Sequence, residues 1–283
     1  MTMSEPAGVA GVFDRAGDSY DAVGVEWFGP IAQGLVRELR PAQGERALDV
    51  GCGRGAALLP LAAAVGPTGH ALGIDLSPRM VEATALDVRD LGHVEVRVAD
   101  ASAPGLRPAS YDVVASSLVL FFLPDPAAAV GGWRDLLVPG GRLGVATFGA
   151  HDERWAAVDT LFAPYLPKAM LGALTRGRSG PFASDEGVEA LLSGAGLTDV
   201  RTVRRRADVA FSSPEQWHDF SWSHGQRARW EAVPPDRREQ VRQQAFGLLD
   251  DLDDPDGRIS FSQEVRYTLG RRPQRHRIAA LTT

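Results

Sequence analysis

The stretch that decides the fold is Leu48-Asp49-Val50-Gly51-Cys52-Gly53-Arg54-Gly55. It stands between a strand-like run, Ala47 to Val50, and a helical run, Ala56 to Val65, which Gly66-Pro67 stops. Glycine lets a backbone turn with positive φ and lets a ligand approach closely. The helix beyond such a turn offers unsatisfied backbone donors to that ligand. A tight turn without a ligand would account for one isolated glycine. A G-x-G-x-G set between strand and helix points instead to a binding loop. Matched more loosely, as Gly51-x-Gly53-x-x-Ala56, it also fits the dinucleotide fingerprint.

Outward from this loop the pattern repeats. His70 to Ile74 reads as a second strand, and Ser77-Pro78 opens a helix with serine as N-cap and proline at its first position. Val94 to Val98 alternates as a third strand, and Tyr111 to Ser116 follows as a fourth. Asp125 to Leu137 is a helix ended by Pro139-Gly140-Gly141, before a fifth strand from Arg142 to Phe148. Upstream, residues 1 to about 10 read as a leader, and Phe13 to Leu39 as mostly helical. After Gly149 the rhythm changes. His151 to Gly180 is helical and aromatic-bearing, Ser184 to Ala195 is a helix capped by Ser184, and Thr198 to Ala210 reads as a sixth strand. Ser213-Pro214 then opens helical sequence that continues to Leu252, with Ser212 and Glu215 at capping-box spacing. Arg258 to Gly270 reads as a last strand, followed by a basic tail. Strands alternating with helices predict βαβ units and a mainly parallel sheet.

Composition narrows the class. The chain has 283 residues, 44% hydrophobic and 23% charged, which is globular composition. No apolar run reaches the roughly 18 to 20 residues that cross a bilayer. The N-terminus lacks a basic segment followed by an apolar one, so no signal peptide is expected. A single cysteine excludes an internal disulfide framework. These features predict a cytoplasmic protein. The net charge of −6 argues against a broad nucleic-acid-binding surface. Lys168 is the only lysine, so most lysine-dependent chemistry lacks a candidate residue.

Three features favour S-adenosylmethionine as the ligand of the glycine loop. Asp49 sits inside the first strand, two residues before Gly51; the glycines are spaced G-x-G-x-G; and a second acid, Asp100, ends the third strand, where it could face an adenine amino group. Asp75, at the end of the second strand, would hold ribose hydroxyls in either nucleotide reading. No Tyr-x-x-x-Lys pair supports an oxidoreductase, and no Gly-Lys-Ser/Thr supports a triphosphatase.

The chain at this point resembles the class I S-adenosylmethionine-dependent methyltransferases, and within them the ubiquinone/menaquinone-type small-molecule group. The residues that carry the resemblance are DVGCGRG (Asp49 to Gly55), GIDLSPRMVEAT (Gly73 to Thr84), VADAS (Val98 to Ser102), YDVVASSLVLFFLPDP (Tyr111 to Pro126) and LLVPGGRLGVATF (Leu136 to Phe148). The resemblance implies that Gly51, Cys52 and Gly53 lie along the methionine part and ribose. It puts Asp75 on the ribose hydroxyls, Leu76 and Met80 beside the adenine, Asp100 and Ala101 at its edge, and Ser117 near the methionine amino group. Phe13 and Tyr20, in FDRAGDSYD, resemble the family's N-terminal segment, whose tyrosine can reach the cofactor carboxylate. Many relatives carry histidine after the fourth strand; Phe121-Phe122 stands here and implies an apolar pocket wall.

Methyl transfer is an in-line displacement at an activated sulfonium, so alignment and water exclusion are the main requirements. A base is needed only where the acceptor must lose a proton. Two segments should roof the site: Phe148, His151, Trp155, Phe162 and Tyr165, and the run Trp217 to His224. On a helix Trp217, Phe220, Ser221 and His224 would share one face. His224 is the leading candidate base, because histidine titrates near neutrality, and His151 is the second. Either could equally be a satisfied core histidine. Phe13, Trp27, Phe122, Phe148, Trp155, Trp217 and Phe220 are the substrate-side candidates. No metal site is expected: aligning Gly257 at the sixth position of a calcium loop puts Leu252 first and Gln263 last. Cys52, in the glycine loop, reads as a small filler residue rather than the nucleophile of a cytosine methyltransferase. Arg204-Arg205-Arg206 reads as a solvated strand edge.

The expected architecture is α/β: a Rossmann-like, seven-stranded, mainly parallel sheet with helices on both faces and an inserted helical cap. Residues 1–40 would cover the cofactor site, 41–150 form the cofactor-binding core, 151–272 supply the cap and last strands, and 273–283 form a flexible tail. The expected function is methyl transfer from S-adenosylmethionine, giving S-adenosylhomocysteine, to a small, largely apolar or aromatic metabolite, with O-methylation favoured. Methylation of a peptide or RNA, or a non-catalytic cofactor-binding scaffold, are the rivals. Monomer and homodimer both stay open.

Overall fold

The apolar runs pair into one sheet. The computed structural model describes residues 8–16, 20, 23–167, 179–252 and 257–274. Its strands are β1 (Arg46–Val50), β2 (His70–Asp75), β3 (Val94–Val98), β4 (Tyr111–Ser117), β5 (Leu137–His151), β6 (Thr198–Phe211) and β7 (Ile259–Arg271). They lie in the order β3-β2-β1-β4-β5-β7-β6. The pairings from β3 to β5 are parallel, and β7 runs antiparallel to both β5 and β6. Ala47, Leu48 and Val50 of β1 and Val113, Val114 and Ala115 of β4 are fully buried, as expected of central parallel strands covered on both faces.

Ten α-helices pack around the sheet among the described residues: α1 (Gly8–Ala16), α2 (Phe28–Leu39), α3 (Leu58–Val65), α4 (Pro78–Asp87), α5 (Pro126–Leu136), α6 (Ala156–Leu161), α7 (Asp185–Gly194), α8 (Pro214–Trp222), α9 (Arg227–Ala232) and α10 (Arg238–Leu249). Ser77, Asp125, Ser184 and Ser213 cap α4, α5, α7 and α8, each accepting a backbone N–H three residues on. Gly34 lets α2 settle against β7: a Cβ there would lie 2.1 Å from the Tyr267 hydroxyl, which donates to Ile31 O at 2.9 Å.

Several boundaries differ from the sequence reading. Phe13 to Leu39 is not one helical stretch, because α1 ends at Ala16 and α2 begins at Phe28. The first of these starts at Gly8, inside the supposed leader. The glycine loop delays α3 to Leu58. Pro139-Gly140-Gly141 lies within β5, which pairs Leu137 with Tyr111 and shifts register before Arg142. The cap of α8 is Ser213, one residue later than the box inferred; Gln216, not Glu215, reaches back to Ser212 N at 2.7 Å. The tail is ordered at its start, where Arg272 exchanges backbone hydrogen bonds with Gly140 and Gly141; residues 275–283 lie outside the described residues.

Beyond β5, α8 and the residue that follows α6 pack around Trp230 of α9. Its ring stacks on Trp222 and meets Phe162 at 4.9 Å and His218 at 4.9 Å, and its Nε1 donates to Ser221 Oγ at 2.6 Å. Phe162 therefore serves the core of this cap, and Ser221 is occupied there too.

Candidate active site

A cavity of about 530 Å³ opens beyond the carboxyl ends of the parallel strands. That is where the sheet order reverses, with β2 and β4 on opposite sides of β1, and where open α/β sheets bind ligands. One end is built by the glycine loop. Gly51 N and Cys52 N both donate to Ile74 O, at 2.8 and 2.9 Å, so the chain must double back over β2. Gly51 takes φ +74°, and a Cβ there would lie 2.3 Å from Val119 Cγ2. At Gly53, by contrast, a Cβ would meet no atom within 4 Å, which leaves its φ of +48° and open access to the cavity as its distinguishing features.

Asp75 closes β2 against this loop. Gly53 N donates to Oδ2 at 2.8 Å and Ser77 N to Oδ1 at 2.9 Å. Burial raises this carboxyl above its usual range, and the Ser77, Gly53 and Leu76 N–H groups oppose the rise. Each oxygen has one donor and a lone pair left for another, which suits a vicinal diol. Met80 is buried beside it, Leu76 is half exposed, and Asp100, Ala101 and Ser117 complete this end of the lining. Ser102 N fixes Asp100 Oδ1 at 2.7 Å, and Trp133 Nε1 fixes Ala101 O at 2.8 Å. Tyr20 stacks on Phe28 at 4.8 Å and Phe13 meets Phe122 edge-on at 5.7 Å, so these rings lie over the cavity.

Cys52 departs from the expectation. Its side chain turns into the core, where a Cβ on Gly73 would meet its Sγ at 2.9 Å, and it does not line the cavity. Burial pushes its thiol far up, as for an inert filler. Beneath the loop, Asp49 is enclosed, and among the described residues neither carboxylate oxygen has a well-aligned hydrogen-bond partner. Burial and then the Asp75 charge push it up to about 7.

The other end of the cavity is aromatic. Trp27, Phe148, Trp155, Trp217 and Phe220 all line it, with Phe211 and Phe261 between them. Trp155 meets Phe261 at 5.2 Å, Trp27 meets Phe261 at 5.5 Å, and Phe211 meets Phe220 at 5.4 Å. Tyr165 is not part of the lining.

The two histidines meet different surroundings. His224 lines the cavity but lies past the end of α8, and its Nδ1 accepts from Gln226 N at 3.1 Å. Burial, helped by the Arg229 charge, pushes its ring down to about 3. With Nδ1 engaged, the neutral ring carries its hydrogen on Nε2, so the residue is equipped as a donor rather than a base. His151, at the end of β5, places Nε2 3.2 Å from Asp159 Oδ2 and Nδ1 3.4 Å from Gln263 Oε1. Burial acts to raise the Asp159 carboxyl, but the His151 ring and the Arg229 guanidinium outweigh it and bring it to about 2. Arg229 pairs directly with Asp159. Asp159, Arg229, Gln263 and Phe261 were not found by sequence reasoning. They come from α6, α9 and β7, and no local spacing links them.

Among the described residues, no group of three or more His, Cys, Asp or Glu is placed to hold a metal, and no helix is long and apolar enough to cross a membrane. Arg204 and Arg205 pair with Asp185 and Glu38 along the exposed edge of β6, as expected of a solvated strand edge.

Known proteins are similar to this chain in sequence and in fold. The methyltransferase-domain family matches residues 48–145. Nocamycin O-methyltransferase of Saccharothrix syringae is 37% identical over 280 residues, covering 92% of this chain and 97% of its own. Aklanonic acid methyltransferase DauC of Streptomyces sp. (strain C5) is 38% identical over 165 residues, covering 58% of this chain and 75% of its own. Among solved structures, the YcgJ protein of Bacillus subtilis superposes with a TM-score of 0.58 at 18% identity, covering 86% of this chain and 98% of that one. The diol-ready Asp75, the open face at Gly53 and the acid at Asp100 fit S-adenosylmethionine. The glycine loop, the sheet order and a near-full-length relative agree: this chain belongs to the class I S-adenosylmethionine-dependent methyltransferases.

Proposed function

We propose that the enzyme methylates an oxygen of a small, largely apolar or aromatic metabolite. The observation that carries this reading is one cavity joining the Asp75 cradle to a wall of aromatic rings that also carries His151, Asp159, His224 and Arg229. The full-length likeness to nocamycin O-methyltransferase and the partial likeness to aklanonic acid methyltransferase support it. When bound, S-adenosylmethionine supplies a methyl group on a sulfonium and leaves as S-adenosylhomocysteine.

In this reading Asp75 accepts the ribose hydroxyls, Gly51 and Gly53 allow close approach, and Leu76 and Met80 flank the adenine. Asp100 and Ala101 address the adenine edge, while Tyr20 and Ser117 address the amino-acid end. Cys52 shapes the loop from behind. Phe13, Trp27, Phe122, Phe148, Trp155, Trp217 and Phe220 hold the acceptor and exclude water. His151 takes the hydroxyl proton at Nδ1, and His224 donates a hydrogen bond. Net negative charge and an aromatic wall favour such an acceptor over RNA. A single buried cysteine suits a cytoplasmic enzyme.

The test is incubation with S-adenosylmethionine and a panel of aromatic hydroxyl compounds and apolar acids, read by mass spectrometry. A methylated product with stoichiometric S-adenosylhomocysteine is expected, its oxygen linkage established by fragmentation. Methylation confined to RNA, peptide or amine acceptors would overturn the reading.

A further inference from the structure

His151 is set between two acceptors. Its Nε2 lies 3.2 Å from Asp159 Oδ2, within ion-pair distance but not aligned as a hydrogen bond, and its Nδ1 faces Gln263 Oε1 at 3.4 Å. The Gln263 amide cannot turn over freely, because its Nε2 donates to Ala150 O and Glu264 O, both at 2.8 Å. Asp159 is held in turn by Arg229, whose side chain is only 12% exposed. A neutral imidazole has one N–H, so either tautomer leaves a ring lone pair facing an oxygen lone pair. The imidazolium, with two N–H groups, presents one to each.

We propose that Asp159, Arg229 and Gln263 are positioning residues. They fix the proton of the neutral His151 ring on Nε2, leave Nδ1 to receive the acceptor's proton, and stabilise the imidazolium that results. The inference rests on the proposed O-methylation and names the part of the site that serves it. The preference for Nε2 follows from strength: a full carboxylate accepts a hydrogen bond more strongly than an amide oxygen. During transfer the hydroxyl proton goes to Nδ1. The oxygen keeps the pair that forms the new C–O bond, and sulfur takes back the pair of the broken S–C bond. Gln263 Oε1 then accepts the new Nδ1–H, so both charge-assisted contacts strengthen as the reaction proceeds.

The experiment is long-range proton–nitrogen NMR on protein labelled with 15N-histidine, with the His151 ring assigned by its loss in His151→Gln. In the wild type, the neutral ring is expected to populate the Nε2–H tautomer about tenfold over the other. In Asp159→Asn that preference collapses toward parity, while S-adenosylhomocysteine affinity stays within about twofold. Once an acceptor is in hand, kcat of the same variant falls at least about tenfold with KM little changed. If Asp159→Asn does not fold, Arg229→Lys, which keeps the charge but loses the planar clamp, is expected to weaken the tautomer preference several-fold. An unchanged tautomer ratio in a folded variant overturns the positioning role and leaves the proposed O-methylation standing. Failure of that function instead appears as no methylated oxygen product from wild type, whatever the tautomer ratio.

Discussion

Replacing Asp49 by asparagine should shift stability relative to wild type in the variant's favour as pH rises. The carboxyl is enclosed beneath the glycine loop with no well-aligned hydrogen-bond partner among the described residues; burial and then the Asp75 charge push it from 3.8 up to about 7, against a weaker pull from the Leu58 N–H. In the unfolded chain it ionises near its ordinary value, about 3.9. Between those values the unfolded state binds fewer protons than the folded one, so stability falls as pH rises. At roughly 1.4 kcal/mol per unit, the cost is about 1.5 kcal/mol at pH 5 and about 4 kcal/mol at pH 8. Asparagine removes the titration and keeps nearly the same shape. Its stability relative to wild type should therefore rise by about 2 to 3 kcal/mol between pH 5 and pH 8. The constant part of the substitution, whatever its sign, cancels in that difference. Urea unfolding followed by tryptophan fluorescence at several pH values, without cofactor, measures it. A stability difference that stays flat within about 0.5 kcal/mol across this range would refute the reasoning, because the carboxyl would then titrate alike in both states.

If Asp75 holds the ribose as proposed, Asp75→Ala should weaken S-adenosylhomocysteine binding by at least about 2 kcal/mol, since two charge-assisted contacts would be lost. Calorimetry on the folded variant measures this, and retained affinity would remove Asp75 from the cofactor site. Gly51→Ala places a methyl group 2.3 Å from Val119 Cγ2 at φ +74° and should cost about 2 to 4 kcal/mol in unfolding free energy. Adding Val119→Ala should restore only part of that, because the backbone strain stays; full recovery would show that the clash alone mattered. With an acceptor identified, His151→Gln should lower turnover by on the order of 100-fold or more, while His224→Gln keeps it within several-fold. The opposite ranking of initial rates would return the base to His224.

The cofactor half of the site was legible because its signals are local. A strand, a glycine turn and an acid at the next strand end are contiguous features, and each places its own residue. Ser77 and Asp125 cap the helices that follow because their side chains reach backbone three residues away. The acceptor half obeys longer-range rules. Trp217 and Phe220 were found because helical spacing joins them. Helical spacing also joins His224 to that face, but α8 stops at Trp222, and the chain returns the ring to Phe220 through a turn, with a centroid distance of 4.4 Å. A histidine's usefulness as a base depends on what each ring nitrogen meets, and Gln226 N meets Nδ1 there. Cys52 shows the same limit within the loop, since spacing places a residue at a turn but not the direction of its side chain.

The topology explains why the acceptor half could not be read locally. Strands β1, β2 and β4 are parallel, so their carboxyl ends meet at one edge and each brings its own following loop to the cofactor. Strand β7 is antiparallel to β5, and it brings its beginning to that same edge. The register pairs His151 with Gln263, 112 residues later, and so turns an interior glutamine toward the cavity. The N-terminal helix then meets both halves through neighbouring residues. Asp14 accepts from Ser77 Oγ at 2.8 Å, beside Asp75, while Arg15 makes a paired contact with Glu231 of α9, at 2.6 and 2.9 Å. Glu231 also accepts from Arg227, so α1 joins a network within the cap rather than a lone surface pair. One turn of α1 thus contacts the helix start next to the ribose cradle and the helix that carries Arg229. The aromatic face between them, Phe13 against Phe122, is held over the cavity by charges on either side.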